Sequence, residues 1–406
     1  MTQRSDILIA GAGAAGLTTA IALAQSGFTV TVIGGLDTRR NGRTVALFEA
    51  SLRLYRALGL WDQLAPIAQP LRRIRLVDDT NNLFRLPPVE LEAAEIGLHA
   101  FGSNIENAAL VETLAAIARQ TLGVNVVEGE ITAYAPAVDG VEATMADGSR
   151  YEGSLLVGAD GRNSMVRQFS LVGTRHWDYP QAAVTAILTH EKPHRATSTE
   201  FHTRIGPCTL VPMGKREGAP HRSSLVWLMS PQDAERRMAM SDAELAHEIE
   251  QQVHSIHGRM SLEGPRGSIN MAGLTCDSLV SERVALVADA GHYYPPIGAQ
   301  GLNLGLRDVA QLVESLEDHG RHDPGAPEAL RHYDKRRRGD VMTRSIAVDL
   351  MNRSLLIHHL PVDFIRSAGL GAMAVIGPLR RALMQEGVAP AGRLARLMRQ
   401  PETIEA

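Results

Sequence analysis

Cysteine is scarce in this 406-residue chain: Cys208 and Cys276 are its only two, far apart in sequence. That excludes a disulfide framework and a cysteine-based zinc site, and it suits a reducing cytoplasm. Aromatic residues make up only 4% of the sequence, so a ligand pocket should be lined mainly by aliphatic side chains. No run of about 18 uninterrupted apolar residues occurs, so no membrane-spanning helix is expected. No charged and then apolar leader precedes Asp6-Ile7-Leu8-Ile9-Ala10, so no signal peptide is expected either. Neither charge sign dominates; a formal charge of -4 gives no reason to expect nucleic acid as a partner. The basic run Lys335-Arg336-Arg337-Arg338 follows Tyr333 in a helical-looking stretch and reads as a solvated helix face. GxSxG, HExxH and a Cys–His pair at useful spacing are all missing, so no nucleophile–base arrangement can be assigned. His190, His194, His254 and His257 have no carboxylate or thiol to complete a metal site and read as surface histidines.

What is present is an ordinary globular composition, 44% hydrophobic and 21% charged, long enough for two or three lobes. The apolar run Ile7–Ala10 leads into Gly11-Ala12-Gly13-Ala14-Ala15-Gly16, then a helix over Leu17–Gln25 that Gly27 stops, then a strand over Thr29–Ile33. Strand, GxGxxG, helix and strand in this order form the context a dinucleotide fingerprint requires. The glycines allow a tight turn, close approach of backbone to pyrophosphate, and close helix–strand packing. The phosphates would meet free N–H groups at the helix start. The bland alternative is a Gly-rich turn in an empty domain of the same shape. Such folds usually end the second strand with an acid for the ribose hydroxyls. Here Gly34-Gly35 stand in that place; Asp37 lies a little further on and is either a ribose ligand or a turn residue. Gly369-Leu370-Gly371-Ala372-Met373-Ala374 follows a helical stretch and reads as a helix interruption, so only one dinucleotide-binding unit is expected.

Two further segments have related character. Leu155–Gly161 reads as a buried strand entering a tight turn, followed by Arg162-Asn163-Ser164 and a helix. Val284–Asp289 reads as a buried strand ending in a carboxylate. It is followed by Ala290-Gly291-His292, Tyr293-Tyr294-Pro295-Pro296 and Ile297-Gly298-Ala299-Gln300-Gly301-Leu302-Asn303 before a helix over Leu304–Leu316. A carboxylate at a strand end suits the hydroxyls of a ribityl chain. A Gly-rich loop opening a helix offers N–H donors and a positive dipole end to a pyrimidine oxygen. Taken singly, these are also ordinary connections of an α/β sheet. Between Asp178 and Ile269 the pattern turns to alternating strands, such as Ala182–Leu188, Thr199–Thr203, Thr209–Pro212 and Ser224–Met229. The charged segment Asp233–His257 reads as one helix interrupting them. Leu355–Met384 reads as a docked helical cap or as an interfacial helix.

GxGxxG, Gly-Ala-Asp-Gly-Arg-Asn-Ser at 158–164, and the segment 289–303 together resemble the three signatures of the single-component (class A) flavoprotein monooxygenases. The ubiquinone-biosynthesis hydroxylases of the UbiH/UbiF/COQ6 type are the subgroup most similar. Further matches are Arg43-Thr44-Val45-Ala46-Leu47, Ile105-Glu106-Asn107, Glu200-Phe201 with Gly206-Pro207-Cys208-Thr209-Leu210-Val211-Pro212, Arg307-Asp308-Val309-Ala310 and Met351-Asn352-Arg353-Ser354-Leu355. The resemblance runs from Asp6 to about Arg381. Where that family usually has Gly-Asp-Ala-Ala-His, this chain has Ala288-Asp289-Ala290-Gly291-His292.

The resemblance implies an α/β fold: a Rossmann-like FAD-binding domain of the p-hydroxybenzoate hydroxylase-like kind, an antiparallel substrate sheet, and C-terminal helices. The expected division is 1–75, 100–175 and 270–340 for FAD binding, 76–99 and 176–269 for substrate, and 341–406 for the helical region. It implies that Gly11, Gly13, Ala14, Ala15 and Gly16 hold the pyrophosphate and that Arg43 contacts the flavin side. Asp160 would lie near the pyrophosphate and the nicotinamide path, and Asp289 would hold the ribityl chain. Pro296, Gly298, Gly301, Leu302 and Asn303 would line the isoalloxazine. His292 would line the site or hydrogen-bond locally. The implied activity is hydroxylation of a prenylated phenol in ubiquinone biosynthesis by O2 through a flavin C4a-hydroperoxide, with FAD as cofactor and NAD(P)H as electron donor. The implied location is cytoplasmic, with peripheral contact at the inner membrane surface and membership of a quinone-biosynthesis assembly left open. Another phenolic or prenyl substrate, or a non-catalytic flavin-bound role in such an assembly, are the other readings.

Overall fold

The computed structural model describes residues 3–80, 87–137, 139–295, 297–356, 376–390 and 394–400. The apolar runs of the N-terminal half do form a parallel sheet. Its order is Val280–Ser281, Val284–Leu286, Leu155–Gly158, Ile7–Ala10, Val30–Ile33 and Val124–Val127, parallel throughout except for the edge hairpin 280–286. Ile7, Leu8 and Ile9 are wholly buried because both faces of the sheet are covered, as near-continuous apolar strands require. One face carries the helices Ala14–Gln25, Asn107–Gln120 and Gln300–His319; Leu17, Leu114 and Val309 belong to that core. The other face carries a four-stranded sheet made of Gln3–Arg4, Arg150–Gly153, Gly140–Met145 and Ile131–Ala137. Leu8, Ala10 and Ile33 meet Val141, Ala143 and Tyr151 there.

A second, eight-stranded sheet runs His292–Tyr293, Met260–Cys276, Thr174–His190, Arg222–Met229, Gly206–Met213, Thr197–Thr203, Arg73–Asp79, Val89–Glu92. Its pairings are antiparallel except for Thr197–Thr203 with Arg73–Asp79. Side chains alternate across a strand, so the sheet has two distinct faces. Ala182, Val184, Ala186, Leu225, Trp227 and Leu210 pack under the helices Pro231–Met238 and Asp242–Gln252. The opposite face meets the turn after Arg40. There the Thr185 hydroxyl donates to the Asn41 carbonyl at 3.3 Å, and the Thr44 and Ser224 hydroxyls lie 2.8 Å apart.

The helix Pro327–Leu356 packs on Gln300–His319, and the buried Tyr333 hydroxyl donates to the Leu286 carbonyl at 2.7 Å. The helix Gly377–Val388 docks through Met384 and Val388 beside Phe101. No helix among the described residues is long and apolar enough to cross a membrane. The helix interruption expected at 369–374 and most of the Leu355–Met384 stretch lie outside the described residues.

Three sequence expectations need correction. The stretch 233–257 is two helices rather than one. Ser241 and Glu244 form a capping box that starts the second, with the Glu244 carboxylate accepting from Ser241 N at 2.9 Å. Arg337 is not part of a solvated face: it is 5% exposed, while Lys335, Arg336 and Arg338 beside it face solvent. Nor are all the histidines on the surface. His190 and His257 are buried and stacked at 4.5 Å between ring centroids, with His194 and His221 each 6.2 Å from His190.

Candidate active site

At the end of strand Ile7–Ala10 the three glycines meet different constraints. Gly11 has φ +106°, and a Cβ there would run into the Ala159 backbone. A Cβ on Gly16 would strike the Gly11 carbonyl. Gly13 alone opens outward, with nothing within 4 Å of where its Cβ would lie. No side chain caps the helix that starts after Gly13, so the N–H groups of Ala14, Ala15 and Gly16 stay available to an anion. Two glycines therefore set packing, and the third clears a cradle.

The missing ribose acid has a steric explanation. A Cβ at Gly34 would press on Ala12 N and the Gly11 carbon, so the glycine loop has settled into the space an acidic side chain would leave through. Asp37 accepts from Arg39 Nε at 2.8 Å, and that hydrogen bond holds its carboxyl below the usual range.

Asp160 follows strand Leu155–Gly158. Its Oδ2 accepts from Met165 N at 2.8 Å and Val166 N at 3.1 Å, while its buried Oδ1 has no partner. Asp289 sits in the 3-10 turn Ala288–Ala290, partly exposed, with Arg162 Nε 3.6 Å from its Oδ2. Arg167 was not singled out by the sequence. Buried at 7% exposure, it donates to the Ala290 carbonyl at 2.9 Å and the Arg162 carbonyl at 2.7 Å, tying the second segment to the third. Spacing carries no signal for it, because its partners are backbone atoms more than a hundred residues apart.

The third segment is held from beneath. Ala288 takes φ +52° where the resembling family has glycine, and its N–H donates to Asp308 Oδ2 at 2.9 Å. His292 turns inward at 1% exposure. Its Nε2 donates to the same oxygen at 2.7 Å, and its ring stacks on Tyr294. Asp308 Oδ1 accepts from Arg337 Nε at 2.7 Å. Burial alone would raise the Asp308 pKa, but His292 and Arg337 outweigh it and hold the carboxyl below its ordinary value.

The loop then turns through Gly298 (φ +63°) and Ala299 (φ +52°) into the helix Gln300–His319, whose start has no side-chain cap. Gly298 is exposed, and Gly301 has nothing within 4 Å of where its Cβ would lie. Leu302 packs partly buried against the core. Asn303 is a staple. Its Oδ1 accepts from Phe48 N (2.8 Å) and Ser51 Oγ (2.7 Å), and its Nδ2 donates to the carbonyls of Ala46 (2.7 Å) and Ala299 (2.6 Å). The Arg43 side chain is exposed; its carbonyl accepts from Asn107 N at 3.0 Å. Pro296 lies outside the described residues.

The chain matches the FAD binding domain family over residues 4–345. It is 35% identical to the ubiquinone hydroxylase UbiL of Rhodospirillum rubrum, over 95% of this chain and 89% of that one. It is 30% identical to the 3-demethoxyubiquinol 3-hydroxylase of Escherichia coli, over 94% of this chain and 98% of the relative. This chain belongs to the FAD-dependent ubiquinone hydroxylase family of class A monooxygenases. Among solved structures, the p-nitrophenol 4-monooxygenase of Pseudomonas putida superposes with a TM-score of 0.77 at 16% identity, covering 95% of this chain and 98% of that one. Klebsiella pneumoniae HpxO, complexed with FAD and uric acid, gives 0.75 at 20% over 95% and 96%. At these identities the likeness shows the fold alone. This hydroxylase is thus an oxidoreductase with FAD as cofactor, and its residues fit that group. The clear space at Gly13, the unpartnered Asp160 Oδ1 and the uncapped helix start at Gln300–Gly301 leave room and free polar groups that such a cofactor could take.

Proposed function

We propose that this chain inserts one oxygen atom of O2 into the ring of a prenylated phenol on the route to ubiquinone. The second oxygen leaves as water, and NAD(P)H supplies the two electrons. The observation that carries this reading is the end-to-end match to ubiquinone hydroxylases, which spans the eight-stranded sheet as well as the FAD-binding segments.

Bound FAD supplies electron transfer and oxygen activation. The chain supplies position and shelter. Helix-start N–H groups at 14–16 would hold the pyrophosphate, and Asp289 would hold ribityl hydroxyls. The N–H groups at 300–302, at an uncapped helix start, would hold the pyrimidine oxygen of the ring and favour negative charge there. Arg43, whose side chain is exposed, would contact the flavin side, and Asp160, with its unpartnered Oδ1, would lie near the pyrophosphate and the nicotinamide path. The half-buried face of the eight-stranded sheet bearing Thr185 and Val226 would cover the ring and keep water from the reacting oxygen. With one GxGxxG unit spent on FAD, the nicotinamide binds without a Rossmann domain of its own.

The reading extends to a bilayer surface, where such substrates dissolve. Ile376, Leu379 and Leu383 are exposed large apolar residues, with exposed Arg381 on the same helix. Flotation with anionic liposomes should retain the wild-type chain and lose Leu379→Gln/Leu383→Gln; equal flotation of both refutes it. The substrate assignment is tested by complementation of strains each lacking one ring-hydroxylation step, with accumulated intermediates identified by mass spectrometry. Restoration of one step supports the assignment, and failure to restore any contradicts it.

A further inference from the structure

Beneath the third segment runs a continuous ladder of charges, buried at Asp308, Arg337 and Arg307 and half-buried at Asp340 and Arg344. Asp308 accepts from Ala288 N, His292 Nε2 and Arg337 Nε. Arg337 Nη1 donates to Asp340 Oδ2 at 2.6 Å, and Arg307 reaches the same carboxylate at 3.3 Å. Arg344 Nε donates to Asp340 Oδ1 at 3.3 Å, and its Nη1 approaches Gln300 Oε1 at 3.5 Å. Gln300 Nε2 in turn donates to the Gly298 carbonyl at 3.1 Å. Arg337, Asp340 and Arg344 recur at helical spacing, so a single stripe of the helix Pro327–Leu356 presents all three.

The ends of the ladder are informative. One end grips the turn that carries Asp289, and the other grips the loop at Gly298–Gln300. These are the two sides of the cleft assigned above to the flavin ring and ribityl chain. A buried ion-pair network is a poor source of stability, since apolar residues of similar size often serve as well or better. What it supplies is fixed geometry: both carboxylates are held by donors from more than one residue.

We propose that Asp308, Arg337, Asp340 and Arg344 are positioning residues that fix the two sides of the flavin-ring cleft relative to each other, without touching the cofactor. This rests on the placement of the ring between Asp289 and Gly301.

Arg344 lies at the solvent edge of the ladder, so Arg344→Met should fold. Arg337→Lys keeps the charge but loses the fork that spans two carboxylates. The probes are FAD, which needs both ends of the site, and ADP, which needs only the glycine loop at 11–16. Both variants should bind FAD about tenfold more weakly while ADP affinity stays within about twofold of wild type. FAD affinity unchanged in both overturns the proposal, and so does an equal loss of FAD and ADP, which marks general destabilisation. Gly301→Val, at a position with nothing within 4 Å of its Cβ, is measured alongside. Loss of FAD in Gly301→Val but not in the ladder variants refutes the ladder alone. No loss in any of the three refutes the ring placement as well.

Discussion

Asn303 offers the sharpest test of how the flavin loop is held. Its amide makes four hydrogen bonds of 2.6 to 2.8 Å and is 5% exposed. Asn303→Ala leaves two donors and two acceptors without partners, at about 1 kcal/mol each, or about 4 kcal/mol in all. At about 2.1 cal/mol/K per residue, unfolding 406 residues carries about 0.85 kcal/mol/K, so the midpoint should fall by about 5 °C. Asn303→Asp separates two explanations. If Asn303 only accepts hydrogen bonds at a helix start, aspartate should replace it at little cost. If its NH2 group staples Ala46 and Ala299, aspartate sets an anionic oxygen against two carbonyls and does no better than alanine. Thermal unfolding of the two variants, followed by circular dichroism with FAD in excess, distinguishes them. An Asn303→Asp midpoint within about 1 °C of wild type would refute the staple.

Three further outcomes follow from the geometry. Gly34→Glu, which supplies the strand-end acid, should weaken FAD binding through a clash of about 1–3 kcal/mol with the Ala12 backbone; tighter binding in a fluorescence titration would show that the loop yields. Gly13→Val should leave the unfolding midpoint of the FAD-free chain near wild type yet abolish tight FAD binding, whereas Gly11→Val, at φ +106°, should lower the midpoint itself; equal midpoints would contradict the distinction. Burial pushes the His190 pKa down to about 4 and that of His257 to about 3, with His194, His221 and Arg75 adding repulsion. The unfolded chain, with histidine near about 6.5, therefore binds more protons, so this stability is complete above that value and is lost as pH falls towards the folded values. Between pH of about 7 and about 5 the two histidines should together cost about 2–4 kcal/mol; His257→Gln should roughly halve that slope, and an unaltered slope would refute it.

The parts of the fold that were legible are those written in consecutive residues. Ile7–Gly16 encodes a strand, a turn and a helix start in ten positions, and hydrophobic period and glycine placement both point the same way. Segments 155–164 and 284–303 were legible for the same reason. The supports beneath them were not. Asp308 and Arg337 pair across 29 residues and two helices, and Arg337 stands inside a basic run whose other members are solvated. Local charge pattern carries no information about which member of such a run turns inward. The burial of the histidines is hidden from the sequence for the same reason, since His190 and His257 meet only when Thr174–His190 pairs with Met260–Cys276. Gly34 was legible as a missing acid. The reason, close approach of the glycine loop, is visible only in three dimensions.

The most direct test of the account is a turnover in isotopically heavy O2. The purified chain with FAD, NAD(P)H and a prenylated phenol should yield a product carrying one heavy oxygen on the ring, with nicotinamide consumed in equal amount. Nicotinamide oxidation that releases only hydrogen peroxide, or a hydroxyl oxygen drawn from water, would contradict it.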